Sequence, residues 1–305
     1  MKLHYDDSIK DDKEGVAAMQ EDIIALLQVD NRKFSKGQKR IKAYIMESYD
    51  KAAFMTASRL GEAVGVSEST VVRFAVDLGF EGYPEMQKAM QEMVLNRLTS
   101  VQRLGVANDR IGDKDVVSKV LQADAEKLRK TDETVNREEF AAAIQAILKA
   151  KHIYILGVRS AAPLASFLSY YMNYMFSNVH TITTSGGSEI FEKLVNVGAE
   201  DVLIAFSFPR YSTSTVKGAQ YCRSVGATVI GLTNSKTSPL AENSDYSLIA
   251  KSDMVSMVDS LVAPLSLVNA LIVALASRRE DVLTKNFGTL ERVWEEYNVY
   301  EKRKD

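Results

Sequence analysis

The stretch TASRLGEAVGVSESTVVRFAVDLGF, residues 56–80, holds two short helical patterns separated by a glycine turn. Thr56–Val64 and Ser67–Leu78 each begin with a hydroxyl residue that can cap a helix, and Gly65-Val66 interrupts the apolar spacing between them. Two helices of these lengths joined by a short turn predict a helix-turn-helix. The positions of the second helix that are predicted to face inward are Val71, Phe74, Ala75 and Leu78.

Helical periodicity continues on both sides of this unit. Val16–Leu27 and Lys36–Ser48 carry apolar residues three or four apart, and a turn at 82–84 precedes another helix that reaches about Thr99. The first part of the chain is therefore predicted to be all-helical. The predicted boundaries are 1–30 for an acidic segment with a short helix, 31–105 for the helix-turn-helix domain, 106–112 for a linker and 113–305 for a second domain.

The charge of the chain is unevenly spread. There are 38 Lys and Arg against 40 Asp and Glu, a formal net charge of −2. Residues 1–30 hold 3 basic and 8 acidic residues, whereas residues 31–100 hold 11 basic and 8 acidic ones. A cluster without an acid among its members consists of Arg32, Lys33, Lys36, Lys39 and Arg40. Such a cluster neutralises phosphates and favours nucleic-acid binding, although a solvated helix start has the same composition.

The second helix of a helix-turn-helix enters the major groove with its N-terminal residues toward the bases. Here that end reads Ser67-Glu68-Ser69-Thr70 and is followed by Arg73. Small hydroxyls approach base edges or phosphates closely, and Arg73 forks onto guanine or a phosphate. Glu68 either accepts from a cytosine amine or favours the helix N-terminus. The alternative is a small helical bundle in which Ser67 is only a cap.

Four segments occur in order along the first domain. They are Phe34–Ile41 (FSKGQKRI), Thr56-Ala57, Val66–Phe74 (VSESTVVRF) and Leu78–Tyr83 (LGFEGY). Together they resemble the N-terminal domain of RpiR-type bacterial transcription regulators. The resemblance implies binding to a palindromic double-stranded DNA operator as a homodimer or homotetramer. The predicted DNA-binding residues are Lys36, Gln38, Thr56, Ser67, Glu68, Ser69, Thr70 and Arg73.

After Ala150 the pattern changes, and short β-rich runs alternate with helical segments. The predicted strands are His152–Leu156, Val179–Thr183, Asp201–Phe206, Ala227–Leu232 and Tyr246–Ala250. The helices between them are predicted at 161–176, 188–197 and 213–225. Strands that alternate with helices of this length predict βαβ units. The predicted fold class is α/β: an all-helical N-terminal domain followed by a doubly wound, mainly parallel, five-stranded sheet.

Further helices are predicted on both sides of the sheet in the sequence. Asp113 is placed to cap a helix over 113–130, and Asn136 with Glu139 fits a capping-box variant for the next helix. The two long helices predicted toward the end of the chain are Met254–Arg278 and Glu280–Tyr297.

The sequence also excludes several classes of protein. The apolar stretch Val255–Ala276 is interrupted by Asp259, Pro264 and Asn269, so a buried core or interface helix is expected there rather than a membrane span. Cys222 is the only cysteine, which excludes an intramolecular disulfide and a cysteine-cluster metal site. The acidic N-terminal segment has no signal-peptide pattern. We therefore expect a cytoplasmic protein without a metal or a membrane partner.

The first predicted strand runs into Gly157-Val158-Arg159-Ser160 and then a helix. A glycine turn before a helix presents free backbone N–H groups to an anion. A dinucleotide site would need Gly-x-Gly-x-x-Gly here and an acid at the end of the next strand, and the chain has neither. No cofactor is expected.

The third predicted strand ends in SFPRYSTST, Ser207–Thr215, before another helix. Hydroxyls, a guanidinium and a helix N-terminus converge there at the carboxyl end of the strand, where open α/β sheets bind ligands. The alternative is that Ser212 and Thr213 only cap the helix while Arg210 is solvated.

Three loops, Gly157–Ser160, Ser207–Ser212 and Gly231–Asn234, resemble those of a sugar isomerase (SIS) domain. This domain is the usual C-terminal partner of the helix-turn-helix in RpiR-type regulators. The resemblance implies that a phosphosugar or related small anion is the effector. The predicted effector-binding residues are Arg159, Ser160, Ser207, Arg210, Tyr211, Ser212, Thr213 and Thr215.

Two residues depart from the family's phosphate loop. Ser160, Ser207 and Ser212 match its hydroxyls, but Pro209 stands where the family has a second serine and Arg210 stands where it has glycine. One hydroxyl and one flexible turn are lost and a cation is gained, so another anion is also a credible effector.

No catalytic residue is predicted. An aldose–ketose isomerase needs a positioned general base and usually an acid that helps to open the sugar ring. His152 and His180 open strands and are expected to be structural or exposed, and the helix dipole explains Glu189 as well as a pocket does. Two alternatives to a regulator stay open: a sugar-phosphate isomerase with an appended helical domain, and a module whose N-terminal helices bind proteins.

Aromatic residues recur at helical spacing on two of the predicted helices. The first stripe is Tyr170, Tyr171 and Tyr174, and the second is Phe287, Leu290, Trp294 and Tyr297. Both are expected to be core or subunit interface. Asp259 is expected either to contact the effector across a dimer or to be a buried, hydrogen-bonded acid.

Overall fold

The computed structural model describes Ile23, Leu27 and residues 34–97, 115–184, 186–252 and 259–300. The chain divides into two compact units, Met1–Arg103 and Leu104–Asp305. The predicted linker at 106–112 and most of the predicted helix at 16–27 lie outside the described residues. Ile23 and Leu27 are helical and fully buried.

The described part of the first unit is helical. Its helices are α1 (Lys36–Ala52), α2 (Ala57–Val64), α3 (Glu68–Asp77) and α4 (Tyr83–Arg97). Thr56 caps α2, because its hydroxyl accepts a hydrogen bond from the backbone N–H of Arg59 at 3.2 Å. Gly65 follows α2 with φ of +70°, a left-handed conformation that favours glycine. The predicted helix-turn-helix geometry is thus present.

The core of the first unit confirms the predicted inward face of α3. Val71, Phe74 and Ala75 are fully buried, and Leu78 nearly so. Phe34 packs on Phe74 with ring centroids 5.5 Å apart. Burying an aliphatic or aromatic side chain contributes about 1.5–3 kcal/mol, so this face fixes how α3 sits against α1 and α2.

The second unit is built on a five-stranded parallel sheet, as predicted. Its strands are β1 (Ile153–Gly157), β2 (Val179–Ile182), β3 (Val202–Phe206), β4 (Thr228–Thr233) and β5 (Tyr246–Ile249). They lie in the order β2-β1-β3-β4-β5. The helices of this unit are α5 (Val116–Thr134), α6 (Arg137–Lys149), α7 (Ala162–Met175), α8 (Gly187–Leu194), α9 (Thr213–Ser224), α10 (Val262–Ala276) and α11 (Glu280–Glu296).

Helices cover both faces of this sheet, which makes it doubly wound. Ile153 and Ile155 of β1 belong to a core with α6, α7 and α10, whereas Tyr154 and Leu156 belong to a core with α8 and α9. β1 and β3 are buried along their whole length, as parallel strands between two helical layers are.

Two predicted helix starts were wrong. Asp115, not Asp113, caps α5, because its side chain accepts from the backbone N–H of Ser118 at 3.2 Å. α10 begins at Val262 rather than Met254, so Asp259 is not on it. Pro264 explains the late start: proline lacks an N–H, and it fits the first turn of a helix but not the interior.

The aromatic stripe of α11 is not part of the core. None of the residues of α11 is buried, and Phe287 and Tyr297 are exposed. Within the described ranges, no single helix is long and apolar enough to cross a membrane. Only α10 and α11 taken together reach that length and composition, and they are bent by 97° at their junction.

Cys222 of α9 is fully buried in the second core. Burial, and then the charge of Asp201, raises the pKa of its thiol from 9.0 to about 12. Since the thiolate is the reactive form, we expect iodoacetamide at about pH 8 to leave Cys222 unmodified in the folded chain and to modify it after unfolding in guanidinium. Because the folded thiol keeps its proton to higher pH, its contribution to the free energy of unfolding falls as pH rises above about 9. Rapid modification of Cys222 by iodoacetamide in the folded chain, detected by mass spectrometry, would contradict the expected protection of the thiol.

Candidate functional site

The N-terminal end of α3 presents a cluster of three hydroxyls. Ser67 stands at the N-cap position, but its side chain makes no capping hydrogen bond to the backbone. Its oxygen lies 2.9 Å from the hydroxyl of Ser69 and 2.8 Å from that of Thr70. Ser67 and Ser69 are exposed. The hydroxyls predicted to approach DNA therefore share hydrogen bonds on the surface, and the predicted side-chain cap by Ser67 was wrong.

The turn before α3 is held by close contacts. The N–H of Val66 donates to the carbonyl of Gly61 at 2.8 Å, and a guanidinium nitrogen of Arg40 donates to the carbonyl of Gly65 at 2.7 Å. A Cβ on Gly61 would lie 2.8 Å from the carbonyl oxygen of Val66, where only hydrogen fits. The angle between α2 and α3 is thus set by backbone contact.

The start of α1 lies beside the start of α3. A Cβ on Gly37 would meet methyl groups of Thr70 and Val66, each at 3.3 Å. Lys36 is the neighbour of Gly37 and is exposed. The structure therefore brings the predicted Lys36 to the same end of the domain as the hydroxyl cluster.

Gln38 is placed differently from the prediction. It is 9% exposed, its amide oxygen accepts from the N–H of Ser35 at 3.0 Å, and its amide nitrogen donates to Asp77. The bond to Ser35 is part of a capping box at the start of α1, and the bond to Asp77 joins α1 to the end of α3. Gln38 therefore positions α1 rather than facing solvent. Thr56 is exposed, but its oxygen already caps α2.

One exposed face of α3 lines an open groove of about 640 Å³. The residues around it are Glu68, Ser69, Val72, Arg73 and Val76. Two of them, Val72 and Val76, were missed from the sequence. They lie out of phase with the buried Val71 and Phe74, which was the available signal.

In the second unit, β1 pairs with β3 so that Gly157 stands opposite Phe206. The two loops that follow these strands therefore leave the sheet side by side, at the carboxyl edge. After β1, Arg159 has φ of +56° and both it and Ser160 are exposed. A Cβ on Gly157 would lie 2.8 Å from the carbonyl oxygen of Ala161, so the chain turns here too tightly for another residue.

The loop after β3 is organised by two serines. Ser207 is 2% exposed, and its hydroxyl accepts from the N–H of Ser212 at 3.3 Å. The hydroxyl of Ser212 in turn accepts from the N–H of Thr215 at 3.4 Å and caps α9. Arg210 between them has φ of +62° and is exposed. Arg210 thus adopts the left-handed conformation that glycine would favour.

Three more hydroxyls belong to this loop and the start of α9. The hydroxyl of Tyr211 donates to the amide oxygen of Asn234 at 2.8 Å, which ties the loop to the end of β4. Thr215 is fully buried in the first turn of α9, and within the described residues its hydroxyl has no hydrogen-bond partner. Thr213 is exposed at the start of α9. The structure groups Ser207, Ser212 and Thr215 within one loop and helix turn.

The two histidines of the second unit lie at the opposite edge of the sheet. His152 precedes β1, and its Nδ1 lies 2.9 Å from a carboxylate oxygen of Asp201, a residue just before β3. His180, in β2, stacks on Tyr154 with ring centroids 4.8 Å apart. At the carboxyl edge, Thr184 donates to the carboxylate of Glu189. Within the described residues, no group of three or more potential metal ligands is present.

Two family models match the chain. The helix-turn-helix domain of the rpiR family matches residues 21–96, and the SIS domain matches residues 146–274. A helix-turn-helix-type transcriptional regulator of Clostridium perfringens is 26% identical over 73% of this chain and 80% of its own length. The regulator HexR of Pseudomonas aeruginosa is 22% identical over 83% of this chain and 90% of its own length.

Solved structures give the same picture of the fold. The sugar isomerase domain of an RpiR transcription factor from Sphaerobacter thermophilus is 28% identical, with a TM-score of 0.55 over 57% of this chain and 97% of that one. The Vibrio vulnificus NanR protein complexed with ManNAc-6P is 20% identical, with a TM-score of 0.55 over 89% of this chain and 98% of that one. The described fold and both family models agree that the chain belongs to the RpiR-type transcriptional regulators, with a DNA-binding helix-turn-helix domain followed by a SIS domain.

Proposed function

We propose that the SIS domain senses a phosphorylated sugar or a related small anion and that the bound effector changes how tightly the first domain holds its operator. The observation that carries the proposal is the loop from Ser207 to Thr215. It places an almost fully buried serine, a capping serine and a buried hydroxyl that has no hydrogen-bond partner among the described residues at one helix N-terminus. Such an arrangement offers donors to phosphate oxygens at the carboxyl edge of a parallel sheet.

The neighbouring loop adds positive charge to the same edge. Arg159 and Ser160 follow β1, which pairs with β3, and Arg210 and Tyr211 lie in the β3 loop itself. A guanidinium forks onto phosphate or carboxylate oxygens. The bound ManNAc-6P of the NanR structure supports a phosphosugar as the class of effector, and Arg210 at the left-handed turn supports an anion in general.

The protein is proposed to act as a homodimer or homotetramer on double-stranded DNA. α7 contains no charged residue and leaves Tyr170 57% and Tyr171 37% exposed. Uncharged surfaces rich in tyrosine are typical of subunit interfaces. Two copies present two recognition helices to half-sites about 34 Å apart, and effector binding is proposed to change their separation by population shift. Access to chromosomal DNA implies a place in the cytoplasm.

A regulator is favoured over an isomerase by the placement of the ionisable groups. The two histidines of the second unit lie at the amino edge of the sheet, away from the loops proposed to bind the effector. An acid beside those loops is Glu189, and its carboxylate accepts a hydrogen bond from the hydroxyl of Thr184. Turnover of an aldose or ketose phosphate by the full chain would instead favour the isomerase.

The effector site is tested by thermal unfolding against a panel of sugar phosphates, free sugars and small anions. An effector at ~100 times its dissociation constant is expected to add ~2.7 kcal/mol to the free energy of unfolding. We expect Ser207→Ala to lose this shift relative to its own melting temperature, because the variant lacks the buried hydroxyl at the loop. Ser224→Ala, at the exposed far end of α9, is the matched control and should keep it. An equal shift in Ser207→Ala would remove this loop from the site.

A further inference from the structure

Two valines on α3 are exposed to solvent. Val72 is 38% and Val76 is 50% exposed, and among the side chains that the structure describes within residues 34–97 they are the large apolar ones left exposed. They are four residues apart, so they lie one turn apart on the same face of the helix. Both line the open groove with Arg73.

This face has a simple chemical layout. Glu68, Val72 and Val76 form one row along the helix, each four residues after the last, and Ser69 and Arg73 form the adjacent row. The first row begins with an acceptor and continues with two aliphatic side chains. The second offers a hydroxyl and a guanidinium. The opposite face is buried in the core of the domain.

The major groove has one apolar feature that a valine can contact. Each base pair presents hydrogen-bond donors and acceptors there, and only thymine adds a C5-methyl group. A valine against the polar edge of another base would remove water from that edge without replacing its hydrogen bonds. A valine against the thymine methyl buries two apolar groups instead.

We propose that Val72 and Val76 read thymine methyl groups in the operator. The proposal rests on α3 being the helix that enters the major groove. Because the helix rises about 1.5 Å per residue, the two side chains are about 6 Å apart along its axis, which corresponds to about two base-pair steps. Each preferred half-site therefore carries A·T pairs whose thymines lie within about two steps of each other.

Replacing thymine by deoxyuridine tests the proposal, because it removes only the methyl group. The full-length parent first selects its preferred duplex from a randomised pool. Each thymine of the selected half-site is then replaced in turn, and affinity is measured for the parent, Val72→Ala, Val76→Ala and the control Val195→Ala. Val195 is also exposed to solvent, at 63%, but lies in the second unit.

Deoxyuridine at the proposed positions is expected to weaken binding of the parent and of Val195→Ala by about fourfold per methyl, which corresponds to ~0.8 kcal/mol. Val76→Ala should lose affinity for the thymine duplex and become insensitive to deoxyuridine at its own position, while it stays sensitive at the position of Val72. The converse is expected for Val72→Ala.

Three results would overturn the proposal, and they separate it from the function of the domain. Specific binding that no deoxyuridine weakens leaves DNA binding intact but removes methyl readout. If deoxyuridine weakens the binding of both alanine variants as much as it weakens that of the parent, the methyl contacts belong to other residues. Failure to enrich any duplex removes the DNA-binding function itself, and the readout with it.

Discussion

Arg73→Ala is expected to weaken operator binding by about 100-fold while effector affinity stays unchanged. Arg73 is exposed on the groove-lining face of α3 and lies in the row that begins with Ser69. A guanidinium that contacts a base or phosphate in the major groove contributes about 1–3 kcal/mol, and a dimer makes the contact in both half-sites. Fluorescence anisotropy with a labelled operator at fixed salt concentration measures the change.

A second arginine variant separates the loss of a DNA contact from the loss of one positive charge. Arg278→Ala removes the same charge at an exposed position at the end of α10, where the side chain donates to its own helix. It should bind operator like the parent, and neither variant should change the unfolding transition. If Arg73→Ala and Arg278→Ala bind equally well, Arg73 has no role in reading DNA.

Gly61→Val is expected to destabilise the helix-turn-helix and to weaken operator binding. A Cβ at this position would lie 2.8 Å from the carbonyl oxygen of Val66, and that oxygen belongs to the backbone of the turn. Forcing extra methyl groups into a packed site costs ~3 kcal/mol, which corresponds to a fall of about 15 °C in the melting temperature of a small domain.

Hydrogen exchange measured by mass spectrometry resolves this loss within the chain. Peptides from α1 to α4 should lose protection in Gly61→Val, whereas peptides from the sheet keep it. Ala63→Val makes a matched change on the exposed side of the same helix and should cost only the small difference in helix propensity. Parent-like exchange in Gly61→Val would show that the turn does not need a small residue there.

The sheet was predictable because its strands are short β-rich runs that alternate with helical segments. Each predicted strand agrees with the structure to within about one residue at either end. The helix start at Val262 was missed because apolar composition continues upstream of it. Pro264 interrupts the apolar stretch, but it also indicates that a helix containing it begins just before it, because proline fits the first turn of a helix and not the interior.

The loops of the proposed effector site were predictable in their position in the fold but less so in their contacts. Ser207 and Ser212 follow from the end of a strand and the start of a helix. Two features depend on backbone geometry that residue types do not encode: the burial of Thr215 with no hydrogen-bond partner in the described part of the chain, and the left-handed conformation of Arg210.

At the helix-turn-helix, too, the positions of the helices follow from the sequence whereas the contacts of individual side chains do not. Gln38 was predicted to contact DNA, but it is buried and forms a capping box with Ser35. Val72 and Val76 were not among the predicted DNA-binding residues, because that prediction relied on side chains that form hydrogen bonds and these two exposed residues are aliphatic.

The central claim is that an anion in the Ser207–Thr215 loop controls DNA binding. The most direct test is a titration of the operator with the full chain, with and without a saturating effector from the thermal panel, repeated with Ser207→Ala. We expect the effector to change the operator affinity of the parent at least fivefold and to leave that of Ser207→Ala unchanged. An operator affinity that no stabilising ligand alters, or an equal response in Ser207→Ala, would contradict it.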